Sequence, residues 1–163
     1  MWRPFAVFPR GNRPLFSRTS MNCLVEFRSA MRIRIDGLDR AVDHIMELVR
    51  RLPCTSVDLD DVELALTEAL ANAVVHGNRQ DPCKSVEICG GCERSGDLLL
   101  AIVDQGDGFD HNLVPDPTAG DNLLSKHGRG ILLISRLMDS LEFRLSGRQL
   151  VMRKRVIRSP ESA

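Results

Sequence analysis

The segment between Leu59 and Ala73 has the apolar spacing of an amphipathic helix, and it constrains the fold more than any other part of the chain. Its apolar positions recur at the three- and four-residue intervals of one helical face: Leu59, Val62, Leu66, Ala69 and Ala73. Ser56 or Asp58 can cap the start of this helix, and we expect it to extend to about Val75. One apolar face must pack against another layer of structure.

The remaining patterns predict strands and further helices around this element. We predict strands over residues 23–35, 85–89 and 98–103, helices over 38–49 and 131–138, and a hairpin over 141–157 that turns at Ser146-Gly147. The turn between the second and third strands is expected to begin at Gly90-Gly91. Gly77 is interpreted as a left-handed cap of the central helix.

These elements predict one domain, since 163 residues suffice for a single core but not for two. We expect a two-layer α/β (α+β) sandwich, with helices on one face of a mixed, mostly antiparallel sheet. The predicted domain spans residues 23–158 and ends in a tail over 159–163. Residues 1–22 hold four arginines and no acid, and we interpret them as a basic tail that is disordered or precedes the true start.

Glu68 and Asn72 lie one helical turn apart on the flank of the apolar stripe, because side chains four residues apart project from the same side of a helix. That position suits side chains that line a cleft. The carboxamide oxygen of Asn72 could ligate Mg²⁺, and the carboxylate of Glu68 could accept a proton from an attacking hydroxyl group or water. Many solvated helices also carry Glu and Asn at this spacing.

A first glycine-bearing segment, Asp104-Gln-Gly-Asp-Gly108, follows the third predicted strand. The strand would deliver Asp104 to the edge of a cleft, where its carboxylate could accept a hydrogen bond from an amino group such as that of adenine. Gly106 and Gly108 would let the backbone approach a flat ring. Taken alone, the segment is more typical of a surface turn than of a site, and it lacks the bidentate Glu of a calcium loop.

A second glycine-bearing segment, His127-Gly-Arg-Gly130, immediately precedes a predicted helix. Exposed amide hydrogens and the positive end of the helix dipole make such a place a phosphate cradle, although an ordinary loop-to-helix junction also fits. The segment has neither the Walker nor the Rossmann glycine pattern. Between the two glycine-bearing segments, we interpret residues from about Asp110 to His127 as a lid, since long loops in compact domains are usually functional.

In this order, the run from Glu68 to Gly77, the segment Asp104–Gly108 and the run from Gly128 to Ile134 resemble the N, G1 and G2 boxes of the GHKL ATPase superfamily. Within that superfamily they are most similar to the anti-sigma-factor serine kinases, which carry a histidine-kinase-like ATPase domain. The resemblance covers roughly residues 31–157. It implies the Bergerat fold, with ATP bound under a mobile lid.

The resemblance also implies the roles of individual residues. Glu68 would be the general base, and Asn72 the Mg²⁺ ligand. The cofactor-binding residues would be Asn72, Asp104, Gly106, Gly108, Gly128, Arg129 and Gly130, with Asp104 contacting adenine and the last three lying on the phosphate side. ATP and Mg²⁺ would be the cofactors, a serine on an anti-anti-sigma protein the substrate, and a sigma factor a second partner. A homodimer is expected on the same ground.

We therefore expect a cytoplasmic, ATP-dependent protein serine/threonine kinase that also acts as an anti-sigma factor. The alternative is a non-catalytic ATP- or ADP-binding module that sequesters a partner protein. A sensor histidine kinase is disfavoured, because the chain has no room for a dimerising phospho-acceptor helix pair. Balanced charges, 22 against 22, do not favour nucleic acid or acidic lipid as partners, and no apolar run approaches the roughly 20 residues of a membrane span.

Five cysteines, an odd number without an export signal, predict reduced thiols in a cytosolic protein. Cys83, Cys89 and Cys92 could alternatively hold zinc with His76 as the fourth ligand. We favour the simpler interpretation, in which Cys89 is a strand residue and Cys92 lies in the following turn.

Overall fold

The computed structural model describes residues 23–54, 56–108 and 126–157. The strands are β1 Cys23–Met31, β2 Val86–Glu93, β3 Leu98–Val103, β4 Ser140–Arg144 and β5 Gln149–Lys154. The helices are α1 Leu38–Arg50, α2 Leu59–Asn72 and α3 Lys126–Leu137. A short 3₁₀ turn, Ile35–Gly37, precedes α1. Helix α2 continues directly into a π-helical turn, Ala73–Gly77, which we call the π extension.

The five strands form one sheet in the order β1-β2-β3-β5-β4, and each neighbouring pair is antiparallel. Successive residues of a strand point to opposite faces. On the central strand β3, Leu98, Leu100 and Ile102 join the helices in the main core. Leu99 and Ala101 belong to a separate cluster on the other face. The predicted arrangement, with helices on one face of a mostly antiparallel sheet, is confirmed.

Helix α2 forms as its sequence predicts. Asp58 caps it, because the Oδ1 atom of Asp58 accepts hydrogen bonds from the backbone N–H groups of Asp60 and Asp61, at 3.1 and 3.2 Å. Its core-facing residues are buried: Val62, Ala65, Leu66, Ala69 and Leu70. This packing fixes the rotation of the helix and leaves the side chains of Glu68 and Asn72 half-buried on its flank.

Three predicted boundaries are wrong by at least four residues. Strand β1 ends at Met31 rather than Ile35, because Ile35 begins the 3₁₀ turn and is half exposed. Strand β2 continues through Gly90 and Gly91, which were assigned to a turn. A β-carbon at Gly90 would overlap the ring of Phe27 on β1, so this glycine makes room for an aromatic side chain. Helix α3 starts at Lys126, five residues before the predicted Ile131.

The prediction that the cysteines are reduced thiols is wrong for one pair. Cys54, in the loop before α2, forms a disulfide with Cys92 near the end of β2, with their Cα atoms 5.7 Å apart. Cys92 is thus a strand residue rather than a turn residue. Of the other cysteines whose side chains are described, Cys83 is an exposed free thiol and Cys89 a buried one. Bonding to Cys54 removes Cys92 from the alternative zinc site.

Two kinds of feature, a cluster of metal-ligating side chains and a membrane-spanning helix, are absent from the described residues. Among them, no group of three or more His, Cys, Asp or Glu side chains is arranged to hold a metal ion. Within the same ranges, every helix is too short or too polar to cross a membrane. The predicted tails over residues 1–22 and 159–163, and the predicted lid as far as residue 125, lie outside the described residues.

Candidate functional site

Glu68 and Asn72 lie near the carboxyl end of α2, and α3 passes directly beside them. A β-carbon at Gly130 of α3 would lie 3.2 Å from Oε2 of Glu68 and 3.3 Å from Nδ2 of Asn72. Gly130 is therefore the point at which the backbone of α3 approaches both polar side chains. The structure brings together the first and third of the segments that the sequence singled out.

Asn72 carries a buried polar atom that has no hydrogen-bond partner. Its Nδ2 nitrogen is shielded from solvent and finds no acceptor in the described protein. Leaving a buried donor unsatisfied costs about 1–3 kcal/mol, and such groups call for an explanation such as a ligand. An incoming group with several oxygen atoms would supply the missing acceptor. This unpartnered amide, beside the Glu68 carboxylate, makes the flank of α2 a candidate site for an oxygen-rich ligand.

Asp104 follows β3 and lies against the π extension. Its backbone N–H donates to the carbonyl of Arg148 at 3.0 Å, which continues the ladder between β3 and β5. Its Oδ1 accepts a hydrogen bond of 2.7 Å from the N–H of Gly106. A β-carbon at Gly77 would lie 2.5 Å from Oδ2 of Asp104, and one at Gly106 would overlap the carbonyl oxygen of Gly77. Two glycines thus let the Asp104 segment pack against the end of the α2 unit, the name we give to α2 together with the π extension.

The interpretation of Gly77 as a left-handed cap is wrong. Gly77 is the last residue of the π extension and has no positive φ; the left-handed residues that follow are Arg79 and Gln80, with φ of 54° and 58°. Glycine is required at position 77 by the carboxylate of Asp104, which occupies the space of a side chain. The reason for glycine at this position is therefore steric, whereas the sequence had suggested a conformational one.

Burial raises the pKa of Asp104 above its usual range. The hydrogen bond from Gly106 and the positive charges of Arg148 and Lys84 act in the opposite direction and favour the ionised form. The carboxylate is therefore partly withdrawn from water while it still carries an acceptor oxygen. In such surroundings a hydrogen bond from a ligand amino group is stronger than it would be in water.

Asn78, directly after the π extension, lies next to the Asp104 segment and was not predicted from the sequence. It is 3% exposed and hydrogen-bonds to the backbone of Ser85 and of Gln105, the residue after Asp104. A polar residue after a helix usually indicates an exposed loop. No signal in the sequence distinguished this buried Asn from an ordinary loop residue.

The other predicted site residues lie around these groups. Gly106 lies on the π extension, as described above, and Gly108 has a positive φ of 76° and packs beside Ser146 in the turn between β4 and β5. Gly128 and Arg129 belong to the first turn of α3, and Arg129 is exposed. The segment Gly128–Gly130 is therefore helical rather than a loop before a helix, and Gly130 is the residue of α3 that lies beside Glu68 and Asn72.

The donor set fits a nucleotide with magnesium. Asn72 and Glu68 offer oxygen ligands, and Mg²⁺ prefers oxygen and keeps waters and phosphate oxygens in its shell. The amino-terminal turn of α3 favours negative charge. At the other end of the π extension, Asp104 offers an acceptor for an amino group. The α2 unit thus has one end suited to a base and a flank suited to phosphates.

Comparison with known proteins agrees with this geometry. Residues 32–154 match the family model described as the histidine kinase-like ATPase domain. An anti-sigma F factor from Clostridium beijerinckii is 29% identical over 120 residues, which cover 68% of this chain and 80% of that protein. A serine-protein kinase RsbW from Bacillus licheniformis is 33% identical over 94 residues, 54% of this chain and 58% of that protein.

The RsbW protein of Bacillus subtilis gives a similar result, with 32% identity over 97 residues that cover 56% of this chain and 60% of that protein. The chain thus spans most of the anti-sigma F factor and about three fifths of each RsbW protein. The matched family region runs from the end of β1 to the end of β5 and includes Glu68, Asn72, Asp104 and Gly130. On this match, the chain belongs to the histidine kinase-like ATPase domain family.

Proposed function

We propose that this chain is an ATP-dependent protein serine/threonine kinase that phosphorylates a partner of the anti-anti-sigma class and also acts as an anti-sigma factor. The observation that carries the proposal is the meeting of Glu68, Asn72 and Gly130 on one side of α2, in a chain of the histidine kinase-like ATPase family. The similarity to an anti-sigma F factor and to RsbW kinases supports the classes of partner.

In this proposal, ATP lies along the α2 unit. Asp104 accepts a hydrogen bond from the adenine amino group, with Gly106 and Gly108 on the same side of the site. Gly128, Arg129 and Gly130 provide the phosphate side. Asn72 helps to hold Mg²⁺, which when bound neutralises charge on the phosphates. The resemblance to anti-sigma-factor serine kinases further favours a homodimer and a cytoplasmic location.

The chemical step is an in-line phosphoryl transfer. The hydroxyl oxygen of the partner serine forms a bond to the γ-phosphorus of ATP, the bond from that phosphorus to the bridging oxygen breaks, and ADP leaves. Glu68 takes the proton of the hydroxyl group. Its carboxylate is half-buried on the flank of α2, and in this proposal it acts as the general base.

Glu68→Gln tests this assignment. The variant keeps the size of the side chain and loses the base, so we expect ATP binding to persist while phosphoryl transfer falls by roughly two to four orders of magnitude. The measurement is the appearance of phosphoserine on an anti-anti-sigma protein from γ-labelled ATP, together with calorimetry of ATP binding. Transfer at the wild-type rate would remove Glu68 from the role of base. ATP binding without phosphoserine in the wild type would favour the non-catalytic module.

A further inference from the structure

Asn78 has no role in the proposed function, yet it is buried and hydrogen-bonded next to the Asp104 segment. A side chain as deeply buried as this one, 3% exposed, needs partners for both of its polar atoms. Its Nδ2 donates to the carbonyl oxygen of Ser85 at 3.0 Å, and its Oδ1 accepts from the N–H of Gln105 at 2.8 Å. Both ends of the carboxamide are therefore occupied by backbone groups.

A third hydrogen bond closes a ring. The N–H of Ser85 donates to Oε1 of Gln105 at 2.8 Å, so Asn78, Ser85 and Gln105 are joined in a cycle of three bonds that we call the Asn78 ring. A carbonyl oxygen can only accept and a backbone N–H can only donate, so the partners fix which way the carboxamide of Asn78 points. Only a side chain with an acceptor and a donor at these positions satisfies both partners.

The Asn78 ring connects two neighbouring segments of the candidate site. Asn78 is the residue after Gly77, and Gln105 is the residue after Asp104, so the ring ties the end of the π extension to the strand end that carries the carboxylate. The contact of Gly106 with the carbonyl of Gly77 lies beside it. The backbone N–H of Asn78 also donates to Ala73 at 2.7 Å, which closes the π-helical turn.

We propose that Asn78 is a positioning residue that sets the preference of the site for adenine, because its ring holds Asp104 at a fixed place against the π extension. The inference rests on the proposed function and adds a determinant of nucleotide specificity to it. Asn78 itself does not touch the reacting atoms. Its effect reaches the base of the nucleotide through Gln105 and Asp104, whereas Glu68 and Asn72 lie earlier in α2, beside Gly130.

Asn78→Asp is the sharpest test, because it keeps the size of the side chain and the acceptor for Gln105 N–H, and replaces the donor to Ser85 by a carboxylate oxygen. We expect affinity for ATP, measured by calorimetry with Mg²⁺, to fall roughly ten-fold, in keeping with one lost bond at a buried position. Affinity for GTP should fall much less, so the ratio of the two affinities changes. Any repulsion between the new charge and a triphosphate cancels in that ratio, since both nucleotides carry the same phosphates.

Two further variants complete the test. Gln105→Ala removes the exposed acceptor for Ser85 N–H without emptying the core, so it gives an answer even if Asn78→Asp fails to fold; the ATP-to-GTP ratio should fall in the same direction by a smaller factor. Ser85→Ala is the matched control, because only main-chain atoms of Ser85 belong to the ring. Its ratio should equal that of the wild type.

The outcomes separate this inference from the proposed function. An unchanged ratio in Gln105→Ala and in folded Asn78→Asp would overturn the positioning role. An equal fall in affinity for ATP and GTP would overturn it too, because that result indicates a general structural role. If the wild type binds ATP but transfers no phosphoryl group, the kinase assignment fails and the positioning role stands or falls on the ratio. If the wild type binds no adenine nucleotide, both fail.

Discussion

Asp104 is partly buried in a position that disfavours its charged form, and it is also the proposed contact for adenine. Its pKa is raised because burial disfavours the charged form, so the folded state binds the proton more tightly than the unfolded state. The stability that this group contributes is therefore present at acid pH, where the carboxyl group is protonated, and is lost as the pH rises through its folded-state pKa. Ionisation of Asp104 therefore lowers the stability of the folded protein.

Asp104→Asn should therefore raise thermal stability at neutral pH while it weakens the preference for adenine. The amide oxygen of Asn can still accept the hydrogen bond from Gly106, and the costly charge is gone. The gain in Tm over the wild type should shrink toward acid pH. Circular dichroism melts across a pH series, with ATP and GTP titrations, measure both effects.

Asp107→Asn provides the control for this experiment. Asp107 is 75% exposed and forms an ion pair with the exposed Arg79 at 2.9 Å, and exposed pairs contribute about 0–1 kcal/mol. Its Tm should stay close to that of the wild type. A lower Tm for Asp104→Asn at neutral pH, together with unchanged adenine preference, would contradict the account of Asp104 given above.

At the scale of elements, the approach of α3 to α2 depends on Gly130. Alanine is favoured over glycine inside a helix by about 1 kcal/mol, which offsets crowding at this position, so Gly130→Ala should change stability little. The added methyl group would lie 3.2 Å from Oε2 of Glu68, which is tight enough to displace that carboxylate. We expect phosphoryl transfer to fall roughly ten-fold with little loss of Tm, because small displacements of a catalytic group are costly.

Ser135→Ala is the matched control on the same helix. Ser135 is exposed and its hydroxyl group donates only within α3, to the carbonyl of Leu132 at 2.7 Å. Transfer rate and Tm should both remain near the wild-type values. A Gly130→Ala variant that transfers phosphate as fast as Ser135→Ala would show that the spacing between the two helices does not govern the reaction.

The sequence predicted well those elements whose apolar residues recur at regular intervals. It predicted poorly those features that depend on contacts with residues distant in the chain. Helices α1 and α2 and strand β3 lie where apolar spacing predicts them, because that spacing reflects burial against the sheet. Gly90 and Gly91 were assigned to a turn because paired glycines are typical of turns. The ring of Phe27, which requires glycine at position 90, belongs to β1 and is far away in the sequence. The π extension has no periodic signal, because its five residues form a single turn, which is too short to show a period.

The same distinction holds for the candidate site. Glu68, Asn72, Asp104 and Gly130 were recognisable because residue type and spacing carry their chemistry. The Asn78 ring was not, since its three bonds join positions that only the folded backbone brings together. The pairing of Cys54 with Cys92 was missed for a related reason: the connectivity of cysteines is not encoded in their spacing.

At the scale of the whole molecule, the Cys54–Cys92 bond closes a loop of 38 residues that contains α2 and the π extension. A cross-link of this length stabilises the folded state by about 4 kcal/mol in the chain-entropy account, because it restricts the unfolded chain. The paired variant Cys54→Ser with Cys92→Ser, or reduction of the wild type, should therefore lower the free energy of unfolding by roughly that amount. Urea titration with and without reductant measures the difference.

Cys83→Ser is the control for the disulfide experiment, since Cys83 is an exposed free thiol. It should unfold at the same urea concentration as the wild type and show the same response to reductant. Wild-type protein that unfolds identically in oxidising and reducing conditions would contradict a stabilising role of the bond.

The covalent loop also decides what happens to the molecule when its backbone is cut. The exposed turn after Asn78, residues 79–83, lies inside the loop closed by Cys54 and Cys92. A protease nick in that turn leaves two fragments that stay attached through sulfur, one carrying Glu68 and Asn72 and the other Asp104 and Gly130. On a denaturing gel, the nicked protein would migrate as a single band until a thiol is added. The two fragments that carry the site would remain covalently linked until then.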